Sequence, residues 1–354
     1  MNTVNFAKLF SISVILIVFV FLINNYLTFG GDWPGAFSIK NDLNIYSSIQ
    51  FSLYLFAIFL SIFFVYFYKK ELSLIKIADF FDNTNGYIIR SAFWGVFIIG
   101  IVDALISLLI IEGFIEYFFG KSWNVKFSNN SFRAPFVHFP LLLIALVLGY
   151  FFKSLNFFWL AFLVVLAEFQ IVLLRFVFSY EQTLMSDLVR FWYGSLFLFA
   201  SYYTLIKDGH VRVDVLYTNF TEKNKALVNL IGSLILGIPL CLTIFLKGMS
   251  CKQCVLNQPI MNFETSQSTQ GMNIKYLMAG FLIIFALTML IQVVVYFLRN
   301  LETINRNYNY GIILSFFINF SYGFCSCFWI SLSFCSSWIC YHLNIFSRFS
   351  RILI

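Results

Sequence analysis

Stretches of about 20 mostly apolar residues, the length that crosses a bilayer as an α-helix, recur along the chain. Four occupy the front half, at roughly 6–28, 47–68, 91–117 and 135–152, and four follow at roughly 156–178, 189–206, 226–249 and 273–298. The segment 306–354 carries a further hydrophobic stretch. The pattern predicts an all-α integral membrane protein of about eight transmembrane helices, with a ninth hydrophobic segment at the C-terminus. Polar punctuation separates the spans. Residues 72–81 have apolar positions at helical spacing and predict a short helix on the membrane surface. Asn85-Gly86 reads as a turn. Pro239 predicts a kink in the seventh span, and Gly232, Gly237 and Gly248 allow close helix packing there.

Composition agrees with this pattern. Of 354 residues, 60% are hydrophobic and only 11% charged, against about 25% charged in a soluble domain. The net charge of +7 is spread between apolar spans rather than gathered on one face, which excludes nucleic acid as the explanation and favours a topological signal. Counting Lys and Arg by side gives an expected orientation. One side holds Lys8, Lys69, Lys70, Lys76, Arg90, Lys153, Lys207, Arg212, Lys223, Lys225, Arg299 and Arg306, which is twelve, and the other holds Lys40, Lys121, Lys126, Arg133, Lys247, Lys252 and Lys275, which is seven. The excess places the N-terminus in the cytoplasm. The first span has no small-residue cleavage pattern behind it and reads as a retained helix. Cys251-Lys252-Gln253-Cys254 falls outside on this topology, where a disulfide can form. The three histidines, His138, His210 and His342, are far apart in sequence, so no metal site is expected.

Charges inside the spans are the next signal, because they are costly in hydrocarbon and mark sites or helix contacts. Asp103 lies in the third span, where no basic residue of a neighbouring span is an obvious partner; it reads as a carboxylate bonded to a neighbouring helix, or protonated. Glu112 and Glu116 lie near the end of that span, and His138, in the first turn of the fourth, reads as a residue at headgroup level. Glu168 and Arg175 are seven residues apart in the fifth span, two turns along one helix face. Each predicts a partner helix.

The most distinctive stretch is Gly209-His210-Val211-Arg212-Val213-Asp214-Val215, directly after an apolar span. Its alternation of valines with charged residues suits a short extended segment at the water boundary. Upstream stand Glu168, Arg175, Tyr180-Glu181, Asp187 and Arg190; downstream come Glu264-Thr265-Ser266 and Gly271-Met272-Asn273-Ile274-Lys275. In that order, over roughly residues 155–300, these motifs resemble the small membrane subunit (Q-type, DctQ-like) of the tripartite ATP-independent periplasmic (TRAP) transporters. Two features depart from the family pattern: Ser179-Tyr180 stands where a tryptophan precedes the acidic pair, and about 150 residues precede the match.

The resemblance implies a small permease subunit of a secondary transporter that takes up an organic acid, in a bacterial inner membrane. Its implied partners are a large permease subunit, a periplasmic solute-binding protein and membrane lipid, with no nucleic acid. No cofactor is implied for this chain; a sodium gradient drives the complex, with the ion sites on the large subunit. Glu168, Arg175, Glu181, Gly209, His210, Arg212, Asp214, Glu264 and Lys275 become structural or assembly residues, and no catalytic residue is expected. Two alternatives remain open: a membrane-embedded enzyme using the His210/Asp214 loop, and a purely structural assembly subunit. The absence of a phosphate-binding G-x-x-x-x-G-K-[ST] stretch argues against ATP hydrolysis.

Three regions are therefore expected: an N-terminal four-span region 1–153, a family-like four-span region 154–305 and a hydrophobic tail 306–354. The tail crowds Cys325, Cys327, Cys335 and Cys340 among Ser, Phe and Trp without metal-ligand spacing. It reads either as a ninth span of odd composition or as a frameshifted, truncated start of a large permease subunit fused behind the small one. The gene sequence separates these readings, since a frameshift requires a long permease frame offset by one base. For the loop, Arg212→Lys removes planar bidentate bonding and is expected to weaken assembly or expression. Normal assembly of that variant with loss of transport contradicts a structural role.

Overall fold

A computed structural model describes residues 3–40, 44–67, 73–153, 157–179, 183–206, 217, 219–264 and 271–307. All regular structure among them is helical. The long helices are α1 (Thr3–Phe29), α2 (Ile45–Phe67) and α3 (Leu74–Ile111). Short helices α4 (Phe114–Phe119), α5 (Lys121–Ser128) and α6 (Asn130–Arg133) lead through a π-turn into α7 (Phe139–Phe151). Next come α8 (Phe157–Val177), α9 (Thr183–Ile206) and α10 (Glu222–Gly232), which passes through a second π-turn into α11 (Ile238–Gly248). The short α12 (Asn257–Met261) and the long α13 (Lys275–Asn307) complete the set. Among the described residues, seven helical segments are long and apolar enough to cross a membrane. The expected span 189–206 lies within α9, whose more polar 24 residues fall outside that set. Enclosure by α3, α8 and α13 reduces its exposure to lipid.

The front of the third span departs from expectation. The short surface helix and the Asn85-Gly86 turn are absent; both are absorbed into α3, a single helix of 38 residues, or about 57 Å at 1.5 Å per residue. Its buried stripe explains why. Leu74, Ile77, Ala78, Asn85, Ile89, Phe93, Val96, Ile99, Asp103 and Ser107 repeat at helical spacing, with the partly buried Phe81 bridging Ala78 and Asn85. Asn85 sits on that stripe, and its amide donates to the Thr288 carbonyl (2.9 Å) and to Gln292 (3.2 Å). Buried hydrogen bonds to α13 override the local preference of Asn-Gly for a turn. Ser73 caps the N-terminus by accepting from the Lys76 N–H at 3.2 Å.

At 33 residues α13 is also longer than a bilayer core, and it is the most enclosed of the candidate spans. One apolar cluster joins it to α1, α10 and α11, and a second joins its first turns to α3, α8 and α9. The overhanging ends of α3 and α13 meet on one side, where Arg299 Nη2 lies 3.1 Å from Asp79 and 2.9 Å from Asp82. At the opposite end Asn25 of α1 donates to the Met249 carbonyl at 2.9 Å. A Cys251–Cys254 disulfide closes the adjacent turn, and Lys252 pairs with Asp32 at 3.3 Å.

Both π-turns precede a proline. Pro140 and Pro239 lack the N–H that an α-helix needs, and each helix responds by shifting one hydrogen bond to i→i−5: Phe139 N–H to Ala134 and Ile238 N–H to Ser233. The expected distortion at Pro239 takes this form. Of the three glycines expected to admit close packing, Gly237 meets Val293 of α13 and Gly248 meets Leu256, whereas Gly232 faces open space. The tightest approaches are elsewhere. Gly149 of α7 lies against the Ser91 backbone, and Gly100 of α3 underlies the Trp192 indole, which donates to the Val96 carbonyl at 3.3 Å.

Gly100→Val forces Trp192 off α3 and is expected to cost about 1–3 kcal/mol, read as a lower unfolding midpoint of the detergent-purified chain. Gly232→Ala, into open space within a helix, is expected to leave stability unchanged or raise it by up to about 1 kcal/mol, read as an equal or higher midpoint.

Candidate functional site: a buried polar clasp

Three spans contribute to a polar cluster at the end of the bundle opposite Arg299. Asp103, on the buried stripe of α3, is fully enclosed. Its Oδ1 accepts from Arg133 Nη1 at 2.8 Å and from His138 Nε2 at 3.0 Å. Its Oδ2 accepts from the backbone N–H of Asn273 at 3.0 Å. Arg133 also donates to the Ser107 hydroxyl at 3.0 Å and, through Nε, to the Phe127 carbonyl. His138 Nδ1 lies 2.6 Å from the Tyr276 hydroxyl. Arg133 and His138 are only 2% and 1% exposed, so neither charge nor polarity here is spent on water.

Asp103 paired with Arg133 is an acceptor, so His138 donates to it from Nε2, while its Nδ1 shares a hydrogen bond with the Tyr276 hydroxyl. The Arg133–Asp103 pair sums to zero charge, and hydrogen bonds with Ser107, His138 and the Asn273 backbone surround it. That arrangement is what makes a buried ion pair tolerable. The π-turn at 134–138 brings His138 to the pair: skipping a bond ahead of Pro140 inserts an extra residue into the turn and rotates His138 inward.

Asp103 is bonded to neighbouring elements, as expected, but with basic partners that the spans did not suggest; the expectation for His138 is corrected, because it is buried among polar groups rather than at headgroup level. In the structure Asp103 lies toward the far end of α3 and Arg133 and His138 just ahead of α7, so antiparallel neighbours set them level, whereas the expected span 91–117 put Asp103 near its middle. Assigning Arg133 to the loop hid this.

The same cluster anchors a strap leading into α13. Asp103 holds the Asn273 N–H, and Asp187 of α9 accepts from the Met272 N–H at 3.1 Å. Two consecutive backbone donors thus end on carboxylates from two different helices, while Met272 and Ile274 are buried. Lys275 at the head of α13 pairs with Glu264 at 2.8 Å. The sequence separated these two by eleven residues; the fold brings them together. Glu168 and Arg175 both stand on the exposed surface of α8. Glu112 ends α3 as its C-cap, and Glu116 accepts from Asn124 at 3.2 Å. Glu181, Gly209, His210, Arg212 and Asp214 lie outside the described residues, as does the tail 308–354. No group of three or more metal-ligating side chains occurs among the described residues.

Asp103→Leu strands a buried guanidinium, and a loss of about 3–5 kcal/mol is expected. Adding Arg133→Met to it is expected to restore part of the lost stability, because the unpaired charge is gone. Tyr276→Phe costs about 0.5–1.5 kcal/mol. Thermal or denaturant unfolding of the full chain in detergent checks all three. Additive losses in the double variant contradict direct coupling.

No curated protein and no solved structure matches the chain. The family comparison does find a match, and it covers the segment that contains α9 to α12, nearly all of α8 and most of α13. Residues 161–303 match the family model for the DctQ component of the tripartite ATP-independent periplasmic transporters.

Proposed function

We propose that this chain is the small permease subunit of a TRAP-type secondary transporter, taking up an organic acid with a periplasmic binding protein and an ion gradient. The observation that carries this reading is the match of residues 161–303 to the DctQ component. Transport in such a system is divided among components, and the small subunit serves assembly. The described part of the family segment fits that role. Its polar residues make backbone and side-chain anchors, as in Asp187 to Met272 and Glu264 to Lys275.

On this reading residues 1–153 are an added membrane region fastened to the family segment through Asp103, the region 154–305 is the subunit proper, and 306–354 is a separate hydrophobic tail. Glu168, Arg175, Glu181, Gly209, His210, Arg212, Asp214, Glu264 and Lys275 serve structure and assembly, not catalysis. No cofactor resides in the chain, and the sodium sites belong to the large subunit. The membrane is the bacterial inner membrane with the N-terminus cytoplasmic, as the Lys and Arg count favours.

A tagged full-length chain is expected to bring down a large multi-span permease from its native membrane, and deletion of its gene to abolish binding-protein-dependent uptake of a carboxylate. Purification as a solitary protein with hydrolytic activity contradicts the proposal.

A further inference from the structure

The outward face of α8 carries a carboxylate where a membrane helix least tolerates one. Glu168 is residue 12 of the 21 in Phe157–Val177, so at 1.5 Å per residue it stands about 14–17 Å from either end. Its side chain is exposed. Around it Val165, Phe169, Val172 and Phe176 form an exposed apolar stripe at helical spacing. Lys and Arg can snorkel from such a depth because their stems are long; a glutamate cannot span that distance. A carboxyl group at mid-depth calls for a hydrogen-bonding partner beside it.

The rest of the fold restricts where that donor comes from. Among the described residues α8 packs on α9 and touches α3, and it is the least covered of the candidate spans. The other flank of the family segment is taken, because α3 lies against both α9 and α13 and is locked there by Asp103 to Asn273. An incoming membrane helix therefore finds a polar anchor on α8 and a closed surface opposite.

We infer that the Glu168 face of α8 is the docking surface for the large permease subunit, which supplies a membrane helix bearing a cation or hydrogen-bond donor at mid-depth. This rests on the small-subunit reading above. The Val165–Phe176 stripe supplies packing and Glu168 supplies register, because a single buried polar contact penalises every offset that leaves it unpaired.

Photoreactive residues placed one at a time in the full-length chain, in cells that also make the large permease, test the face. Probes at Val165 and Val172 are expected to capture the permease, and probes at Phe59 on α2 and Leu240 on α11 are not. Glu168→Leu is expected to lower permease recovery about tenfold with the amount of inserted chain unchanged, and Glu168→Gln, which keeps a hydrogen-bonding carbonyl, to lower it less. Capture of the permease from Phe59 or Leu240 instead overturns the face while leaving the small-subunit reading intact. So does reaction of the α8 probes only with lipid, a second copy of the chain or its own residues 308–354. Recovery of no permease from the unsubstituted chain overturns both.

Discussion

A carboxylate sealed inside a membrane protein must be neutralised where it stands, and Asp103 organises much of the bundle by meeting that requirement. Arg133 supplies the charge, His138 and the Asn273 N–H complete the acceptor shell, and Tyr276 and Ser107 satisfy the partners in turn. These groups come from α3, from the segment entering α7 and from the strap and first turn of α13. Satisfying one charge therefore fixes the relative position of three spans. Apolar packing alone sets this weakly, since lipid tails are as apolar as leucine. The clasp joins the helices before residue 154 to the segment that matches the DctQ component.

Two kinds of irregularity make this geometry available. The π-turn ahead of Pro140 rotates His138 inward, and a matching turn ahead of Pro239 lets Gly237 seat against Val293. Each is the local answer to a proline that cannot donate, and each is tolerated because α-helical bonding resumes within a turn. The second kind is length. α3 and α13 overrun the hydrocarbon core at one end, and the surplus turns pair through Arg299 with Asp79 and Asp82. A polar network thus sits at each end of α3, and between them Asn85 bonds α13 in the middle of the stripe.

Polar residues in this bundle fall into two physical classes. Asp103, Arg133, Asp187 and Asn85 are spent within the chain, on backbone donors and neighbouring side chains. Glu168 is directed outward from α8. In a membrane the distinction carries meaning. An inward polar group reports on the fold, and an outward one at mid-depth is not spent on the described helices of its own chain. The division of the two classes between α3 and α8 follows the division between the closed and open flanks of the family segment.

The sequence by itself determined the all-helical membrane class, because runs of about 20 apolar residues admit no other spanning structure. It also determined the family resemblance over the second half, through the ordered Glu168, Arg175, Glu264 and Lys275 positions and the Gly209–Val215 stretch. Only the tertiary structure decided the continuity of α3 through Asn85-Gly86, where bonds to Thr288 and Gln292 outweigh turn preference. It also decided the partners of Asp103, because a pairing across 30 residues depends on two helices reaching the same depth and on a π-turn setting the angle of His138. The inward and outward assignments of Asp103 and Glu168 belong to the same category. Both are carboxylates in apolar runs, and local sequence gives them the same signature; which one faces a neighbour is a property of the whole bundle, set by which flank of each helix the others cover.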